Sequence, residues 1–280
     1  MLIYDDKTFG NREFKLNLLD LYPTVNERRS FNQSYWEFFE SDSYNQKIFS
    51  LRDDSLTYSS EVFISDKIDN RPPLLLLLGN PASHSVAAGM CFAFEKDGLE
   101  HRFWKLLNNT DILIFAVQSP ISSSSDEMNK MRRTALSELN YQSPFRIGIA
   151  VFCSLPSSAS KKWSGVSGVI KLLGTEAFRI LSLQEENRIA KLVSRFMGST
   201  GGIITFQKNA YDGVRSRKTP TFDINKARQY ELKGKSKWDQ HIFLAGAPPT
   251  REAYWLSSKN AMLHYKAWLL QKFATNTCSP

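Results

Sequence analysis

The sequence is poor in cysteine, and its three cysteines, Cys91, Cys153 and Cys278, are far apart and odd in number. No Cys-x-x-Cys pair occurs, so the sequence supports neither a disulfide framework nor a zinc site. No cluster of Cys or His suggests a metal or an organic cofactor, and we expect none. A reducing cytosol is the expected environment.

Long apolar runs are also missing. No apolar stretch approaches the roughly 20 residues that cross a bilayer. The first residues, MLIYDDKTFGNREF, carry acids early and lack the apolar core of a signal peptide. We therefore expect no membrane partner, a cytoplasmic protein or one associated with a nucleoid or nucleus, and a monomer.

Aromatic residues and positive charge are what the sequence has in quantity. Its 280 residues are 42% hydrophobic and include 19 Phe, 10 Tyr and 6 Trp, which argues against extended disorder. Lys and Arg number 36 against 28 Asp and Glu, a net charge of +8. This balance favours polyanionic partners, nucleic acid first, although a moderately basic protein without such a partner has the same composition.

The most informative segment begins with five consecutive leucines, Leu74–Leu78, and stops at Gly79-Asn80-Pro81. Such a run, ended by turn residues, predicts a strand that is buried on both faces. In open α/β sheets, ligands bind beyond the carboxyl ends of such strands. This segment therefore predicts a site that contains Asn80, Ser83, His84 and Ser85.

Strands and helices are predicted to alternate along the rest of the chain. Three further strands are expected at Phe145–Phe152, Gly202–Phe206 and His241–Ala245. Helical patterns lie between and after them, so we predict βαβ units and a largely parallel sheet. Residues 72–280 form the predicted domain. Residues 1–71 are predicted to be an elaboration packed on it, with an aromatic-rich helix and an edge strand at Glu61–Ser65.

The segment from Leu77 to about Leu107 contains, in order, G-N-P, an Ala-Gly pair, Phe-x-Phe and Arg-Phe-Trp-Lys. This order resembles the first motif of the uracil-DNA glycosylase superfamily and looks most like its mismatch-specific uracil/thymine branch. Gly202–Tyr211 and Ala245–Arg251 are similar to later segments of that family. The resemblance implies a three-layer α/β/α sandwich with a mainly parallel four-stranded central sheet. It also implies removal of uracil or another aberrant or mispaired base from DNA by base flipping.

The resemblance assigns roles to several residues. Asn80 matches the residue that positions the attacking water, and a weak, oriented nucleophile suffices for cleavage through an oxocarbenium-like state. Phe94 matches the aromatic that stacks on the flipped-out base. His84 and Ser154 are further candidates for base contact. Candidates for DNA contact are Ser83, Ser85, Thr250 and Arg251. The alternative interpretation of these residues is ordinary turn, core and surface structure.

The second motif departs from the family. Pro248 occupies the position where the family places His or Asn to stabilise negative charge on the departing base. Proline has no side-chain donor and no backbone N–H. Loss of such a donor costs about 100- to 1000-fold in rate. Either His84, Thr250 or Arg251 substitutes, or the protein is an inactive or weakly active nucleic-acid-binding module.

Two further interpretations stay open. The adjacent His84 and Ser85 are compatible with a small-molecule hydrolase or nucleotide-binding protein, although no Gly-x-Ser-x-Gly elbow is present. Two basic runs, Arg215–Lys218 and Lys233–Trp238, are either solvated surface or phosphate contacts. The expected partner is double-stranded DNA with a lesion or mismatch, with single-stranded DNA as the alternative.

Overall fold

A computed structural model of the protein describes residues 2–94, 99–115, 124–198 and 200–276. Cys278 and most of the serine-rich loop 119–125 lie outside these residues. Within the described part of the chain, no helix combines the length and the apolar character that a membrane span requires.

The described residues contain one large mixed sheet and a separate two-stranded ribbon. The strands are β1 Leu2–Tyr4, β2 Phe9–Asn17, β3 Phe49–Arg52, β4 Ser55–Phe63, β5 Pro73–Leu78, β6 Ile114–Phe115, β7 Tyr141–Gln142, β8 Arg146–Val151, β9 Gly201–Thr205, β10 Lys233–Lys235 and β11 Ile242–Gly246. The helices are α1 Val25–Glu40, α2 Asn45–Ile48, α3 Ser83–Ala88, α4 Arg102–Asn109, α5 Ser125–Ser137, α6 Gly165–Leu173, α7 Thr175–Met197, α8 Lys208–Val214, α9 Ile224–Arg228 and α10 Trp255–Asn276.

The five-leucine strand β5 lies at the centre of the sheet. It pairs in parallel with β8 on one side and β9 on the other, and all five leucines are buried. Because side chains alternate along a strand, Leu74 and Leu76 join the apolar cluster under α4 and α10. Leu75 and Leu77 join the cluster under α7 and α8. The predicted buried strand and the α/β class are confirmed.

The parallel core has the spatial order β8-β5-β9-β11. It is flanked by antiparallel strands, with β4, β2 and β1 beyond β8, and β10 beyond β11. The expected four-stranded sheet is therefore only the centre of a nine-stranded one, in which β3 pairs with β4. The prediction of an edge strand at Glu61–Ser65 is wrong, because β4 is bonded on one side to β2 and on the other to β3 and β8.

The N-terminal strands are covered by their own layer of helices. Phe14 of β2 stacks on Tyr58 of β4 at 5.4 Å, and Phe38 of α1 packs on the same cluster. This cluster continues into α6 and the start of α7 through Leu172 and Leu181. Residues 2–63 thus extend the same sheet and share helices with the rest of the protein.

A buried ion pair joins α7 to the carboxyl end of β8. Glu185 and Arg188 are fully buried and bonded to each other. Arg188 donates to the carbonyl oxygens of Val151 and Phe152, and the Glu185 carboxylate accepts from the Ser154 amide at 2.5 Å. These bonds satisfy both charges in the interior and fix the chain where it leaves β8.

A second buried acid, Glu61 of β4, has no such partner. Its side chain is buried, and its Oε2 has no hydrogen bond among the described residues. Burial raises the pKa of Glu61 to about 8. Burial, and then the charge of Glu61, raise the pKa of the Cys91 thiol. Glu61 is therefore protonated in the folded protein at neutral pH.

We expect Glu61→Gln to increase the free energy of unfolding at neutral pH, because glutamine stays neutral in the same volume. The unfolded carboxyl ionises above about pH 4.3, whereas the folded one stays protonated up to its raised pKa. The wild type therefore loses stability as the pH rises between these values, by at most about 4 kcal/mol at pH 7.

Denaturant unfolding of both proteins from about pH 4 to about pH 9 measures this difference. Glu13→Gln, on the exposed face of β2, is the matched control and shows no such divergence. Parallel stability curves for the wild type and Glu61→Gln would contradict a neutral buried carboxyl.

Candidate functional site

The carboxyl ends of the four parallel strands meet at one edge of the sheet. The Cys153 amide donates to the Gly79 carbonyl at 2.7 Å, and the Ala247 amide donates to the Thr205 carbonyl at 2.8 Å. These hydrogen bonds align the end of β8 with that of β5, and the end of β11 with that of β9. From β5 the chain crosses towards β8, and from β9 it crosses the other way towards β11. Asn80 therefore lies at the topological switch point, where open α/β sheets bind ligands.

The Gln207 side chain packs against Gly79, the residue before Asn80, at this switch point. A Cβ on residue 79 would lie 1.6 Å from the Gln207 Oε1, so glycine is required at 79 for the two loops to approach. The Gln207 side-chain amide has no hydrogen bond among the described residues. Sequence reasoning missed Gln207, although a polar residue directly after a buried strand is the same signal that marked Asn80.

Asn80 is half-buried, and its side chain is oriented by its own loop. Its Nδ2 donates to the Pro81 carbonyl at 3.2 Å. Its Oδ1 accepts no hydrogen bond from the described residues. An oriented amide with a free carbonyl oxygen can accept a hydrogen bond from a water molecule.

The loops after β5 and β8 are tied to the N-terminal segment by Asp42. Its Oδ2 accepts from the Ser83 hydroxyl at 2.9 Å, the Ala159 amide at 3.0 Å and the Ser158 hydroxyl at 3.4 Å. Its Oδ1 accepts from the Tyr44 amide at 3.0 Å. Burial raises the pKa of the Asp42 carboxyl, but these hydrogen bonds outweigh it and hold the pKa below its usual value. Asp42 is a charged latch between segments far apart in the sequence.

A cleft of about 830 Å³ opens beside this latch. It contains the predicted base-contact residues His84 and Phe94, and its charged side chains among the described residues are one lysine and two aspartates. The described residues that line it are Asp42, Tyr44, Lys47, His84, Ala87, Ala88, Ala93, Phe94, Ser124, Ser125, Asp126 and Ala159. The N-terminal elaboration thus supplies a wall of the cleft, and the walls are mixed in charge and not basic.

Phe94 is fixed in the cleft wall from two directions. Its amide donates to the Asn129 Oδ1 at 2.8 Å, which holds the backbone. The Arg132 guanidinium lies 4.2 Å from the Phe94 ring centroid and also contacts Trp104. Arg132 is itself paired with Glu100. One face of the Phe94 ring is therefore covered by a cation.

His101, which the sequence analysis did not single out, begins α4 near the cleft. Its Nδ1 accepts from the Phe103 amide at 3.1 Å, and its ring stacks on Phe92 at 4.4 Å. Burial, and then the charges of His84 and Arg102, lower the pKa of His101 to about 4. The ring is therefore neutral at pH 7, and the bond to Nδ1 leaves the proton on Nε2.

Three predicted serines lie in the interior instead of in the cleft. Ser154 is fully buried and donates its hydroxyl to Glu185, with Tyr58 at 2.8 Å. The Ser83 hydroxyl donates to Asp42, and Ser85 is a buried residue of α3. None of the three has an exposed hydroxyl that could act as a nucleophile or contact DNA. The structure therefore does not support the alternative of a hydrolase with Ser85 as its nucleophile.

The predicted second-motif loop is held by the last helix. Pro248 is buried, and the carbonyls of Pro248 and Pro249 both accept from the Ser258 hydroxyl of α10. Thr250 is half-buried and Arg251 is exposed, and neither lines the cleft of His84 and Phe94. The loop is tied to α4 by an ion pair between Arg102 and Glu252 at 2.8 Å.

No three His, Cys, Asp or Glu side chains of the described residues come together as a metal site. No protein-family model matches the chain, and no curated protein matches it. The geometry of the cleft and of the sheet edge is therefore the basis of a functional proposal.

We expect Asp42→Asn to lower the free energy of unfolding by about 1–3 kcal/mol, because hydrogen bonds to a charged acceptor become bonds to a neutral one. The lowered pKa means that this contribution is fully present above about pH 4 and is lost as the pH falls through the folded-state value. Amide exchange at Ala159 should also accelerate.

Denaturant unfolding and hydrogen exchange at neutral and acidic pH test this latch. Asp6→Asn, at an exposed carboxylate away from the cleft, is the matched control. Unchanged exchange at Ala159 in Asp42→Asn would show that the loops are held by other contacts.

Proposed function

We propose that this protein is a DNA N-glycosylase of the uracil-DNA glycosylase type, which hydrolyses the glycosidic bond of a flipped-out aberrant base. A parallel four-stranded core with helices on both faces is the architecture that the sequence resemblance implies. The observation that carries the proposal is Asn80. This residue stands at the switch point with an oriented amide and an unbonded Oδ1.

Asn80 is proposed to hold the attacking water through its Oδ1. The Asn80 amide does not ionise, so it orients water without making a strong nucleophile. This suits a reaction in which the glycosidic bond is largely broken before attack. Phe94 is proposed to stack on the extruded base, since its ring is backed by Arg132 and faces a cleft.

His84 is proposed to replace the donor that Pro248 does not supply. Of the three candidate substitutes, His84 lines the same cleft as Phe94, whereas Thr250 and Arg251 lie on the loop held by α10. Its ring contacts Tyr44 at 6.3 Å between centroids, which restricts its orientation. A hydrogen bond from His84 would stabilise negative charge on the departing base.

A second candidate function is favoured by Pro248 itself. A buried proline whose carbonyl is bonded to Ser258 gives the second motif no donor. The protein would then bind nucleic acid on this fold without cleaving it. The two functions differ in base release and not in binding.

We expect the protein to release a base from at least one duplex that contains uracil, hypoxanthine or a mismatch. Asn80→Ala should reduce single-turnover release by about 100-fold or more, because the water loses its orientation. Asn26→Ala, at an exposed residue of α1, is the control and retains full activity. Binding of these duplexes without release from any of them would establish the non-catalytic alternative.

His84→Ala should reduce base release by about 100- to 1000-fold if His84 supplies the missing donor. Thr250→Val and Arg251→Ala should each change the rate of bond cleavage by less than about tenfold, because they lie on the loop held by α10 and do not share a cleft with Phe94 as His84 does. Single-turnover rates at saturating enzyme separate this chemical effect from weaker binding. A larger loss in Thr250→Val than in His84→Ala would assign the donor to the second-motif loop.

A further inference from the structure

The two basic runs of the sequence come together in the structure. Arg215 and Ser236 form an antiparallel bridge, and the Ser216 amide donates to the Lys235 carbonyl at 2.9 Å. The Lys235 amide in turn donates to the Thr219 hydroxyl at 3.0 Å. Residues 215–219 therefore lie along the outer side of β10, although 13 residues separate them from it in the chain.

Between these segments lies a groove of about 800 Å³ that is distinct from the cleft of His84. Five lysine and arginine side chains and a histidine line it, against one aspartate. The basic residues are Arg217, Lys218, Lys233, Lys235, Lys237 and His241, and the acid is Asp239. We call this surface the basic groove.

Most of these cations are not neutralised by the protein. Among the described residues, Lys237 is paired with Glu186, whereas Arg217, Lys218, Lys233 and Lys235 have no carboxylate within ion-pair distance. Lys235 lies 4.0 Å from the Phe243 ring centroid. Burial, and then the charge of Lys272 on α10, lower the pKa of Lys235. Like charges are thus held close together in a concave surface, which focuses a positive potential.

We infer that the basic groove binds the sugar–phosphate backbone of a nucleic acid. An extended ribbon of unpaired cations matches a linear polyanion, since each phosphate contact also releases condensed counterions. The half-buried Trp238 in the same wall gives a base a surface for stacking, which an acidic peptide would not use. No large apolar side chain of the groove is exposed among the described residues, which disfavours a membrane surface.

The groove also leads towards the edge of the sheet where the parallel strands end. Lys233 pairs with Ala245, near the carboxyl end of β11, whereas His241 lies at the opposite end of that strand. A sugar–phosphate backbone bound along β10 would therefore run towards the loop from Pro248 to Arg251. This inference rests on the proposed DNA partner but not on catalysis.

The test is binding of a short undamaged duplex, and of the corresponding single strand, from about 50 to 200 mM salt. The groove variant Arg217→Gln/Lys218→Gln/Lys233→Gln is compared with Lys15→Gln/Arg29→Gln/Arg52→Gln. The control variant removes the same charge from exposed residues of the N-terminal region. We expect the groove variant to lose at least tenfold in affinity and to reduce the salt slope by about 2 to 3. The control should change affinity by less than about threefold.

Equal losses in the two variants would overturn the inference, because they would reflect net charge and not this groove. Tighter binding of the wild type to polyglutamate, or to vesicles of phosphatidylcholine and phosphatidylserine in equal amounts, would also overturn it. Groove-dependent binding without base release would contradict the proposed glycosylase activity and support this inference. Base release that the groove variant leaves unchanged would support the glycosylase activity and contradict this inference.

Discussion

The structure depends on the need to cover β5 on both faces. A strand of five leucines cannot have a solvated face, so α4 and α10 cover one side of it and α7 and α8 the other. Its edges are covered as well, by parallel pairing with β8 and β9. Because parallel strands end at the same edge, this burial brings the loop of Gly79 and Asn80 against the loop of Gln207. The position of the candidate site is thus a consequence of how the core is buried.

The cleft depends on a different interaction, the charged latch at Asp42. The sheet places the loops after β5 and β8 side by side, but the Asp42 carboxylate bonds Ser83 to Ala159 and brings Tyr44 against His84. The N-terminal segment is therefore part of the site and not only a covering for the core. Its strands continue the central sheet through β4 and β8, which fixes the latch relative to the parallel strands.

The sequence predicted the parallel core because each of its strands is a local apolar run that ends in turn residues. Of the N-terminal strands, only part of β4 was predicted, as Glu61–Ser65. Strand β2 was missed because it is half-exposed, with buried Phe14 and Leu16 separated by a single polar residue. That alternation is a genuine strand signal, but it is short and interrupted. Apart from His84 and Phe94, the residues that line the cleft could not be predicted. The contacts of Asp42 with Ser83 and of Gly79 with Gln207 join residues that are far apart in the sequence. No local sequence pattern predicts that such residues are close in the folded protein.

Charge is distributed so that the cleft and the basic groove are separate. The cleft has Lys47 against two aspartates, whereas four unpaired cations line the groove along β10. A pocket that receives an uncharged base gains little from positive charge, since the phosphates stay outside it. In the proposed complex, the basic groove would hold the nucleic-acid backbone without disturbing the hydrogen bond that orients Asn80. The exposed Arg251 lies between the end of β11 and α10. In the proposed complex, a nucleic-acid backbone that leaves the basic groove would contact the protein there.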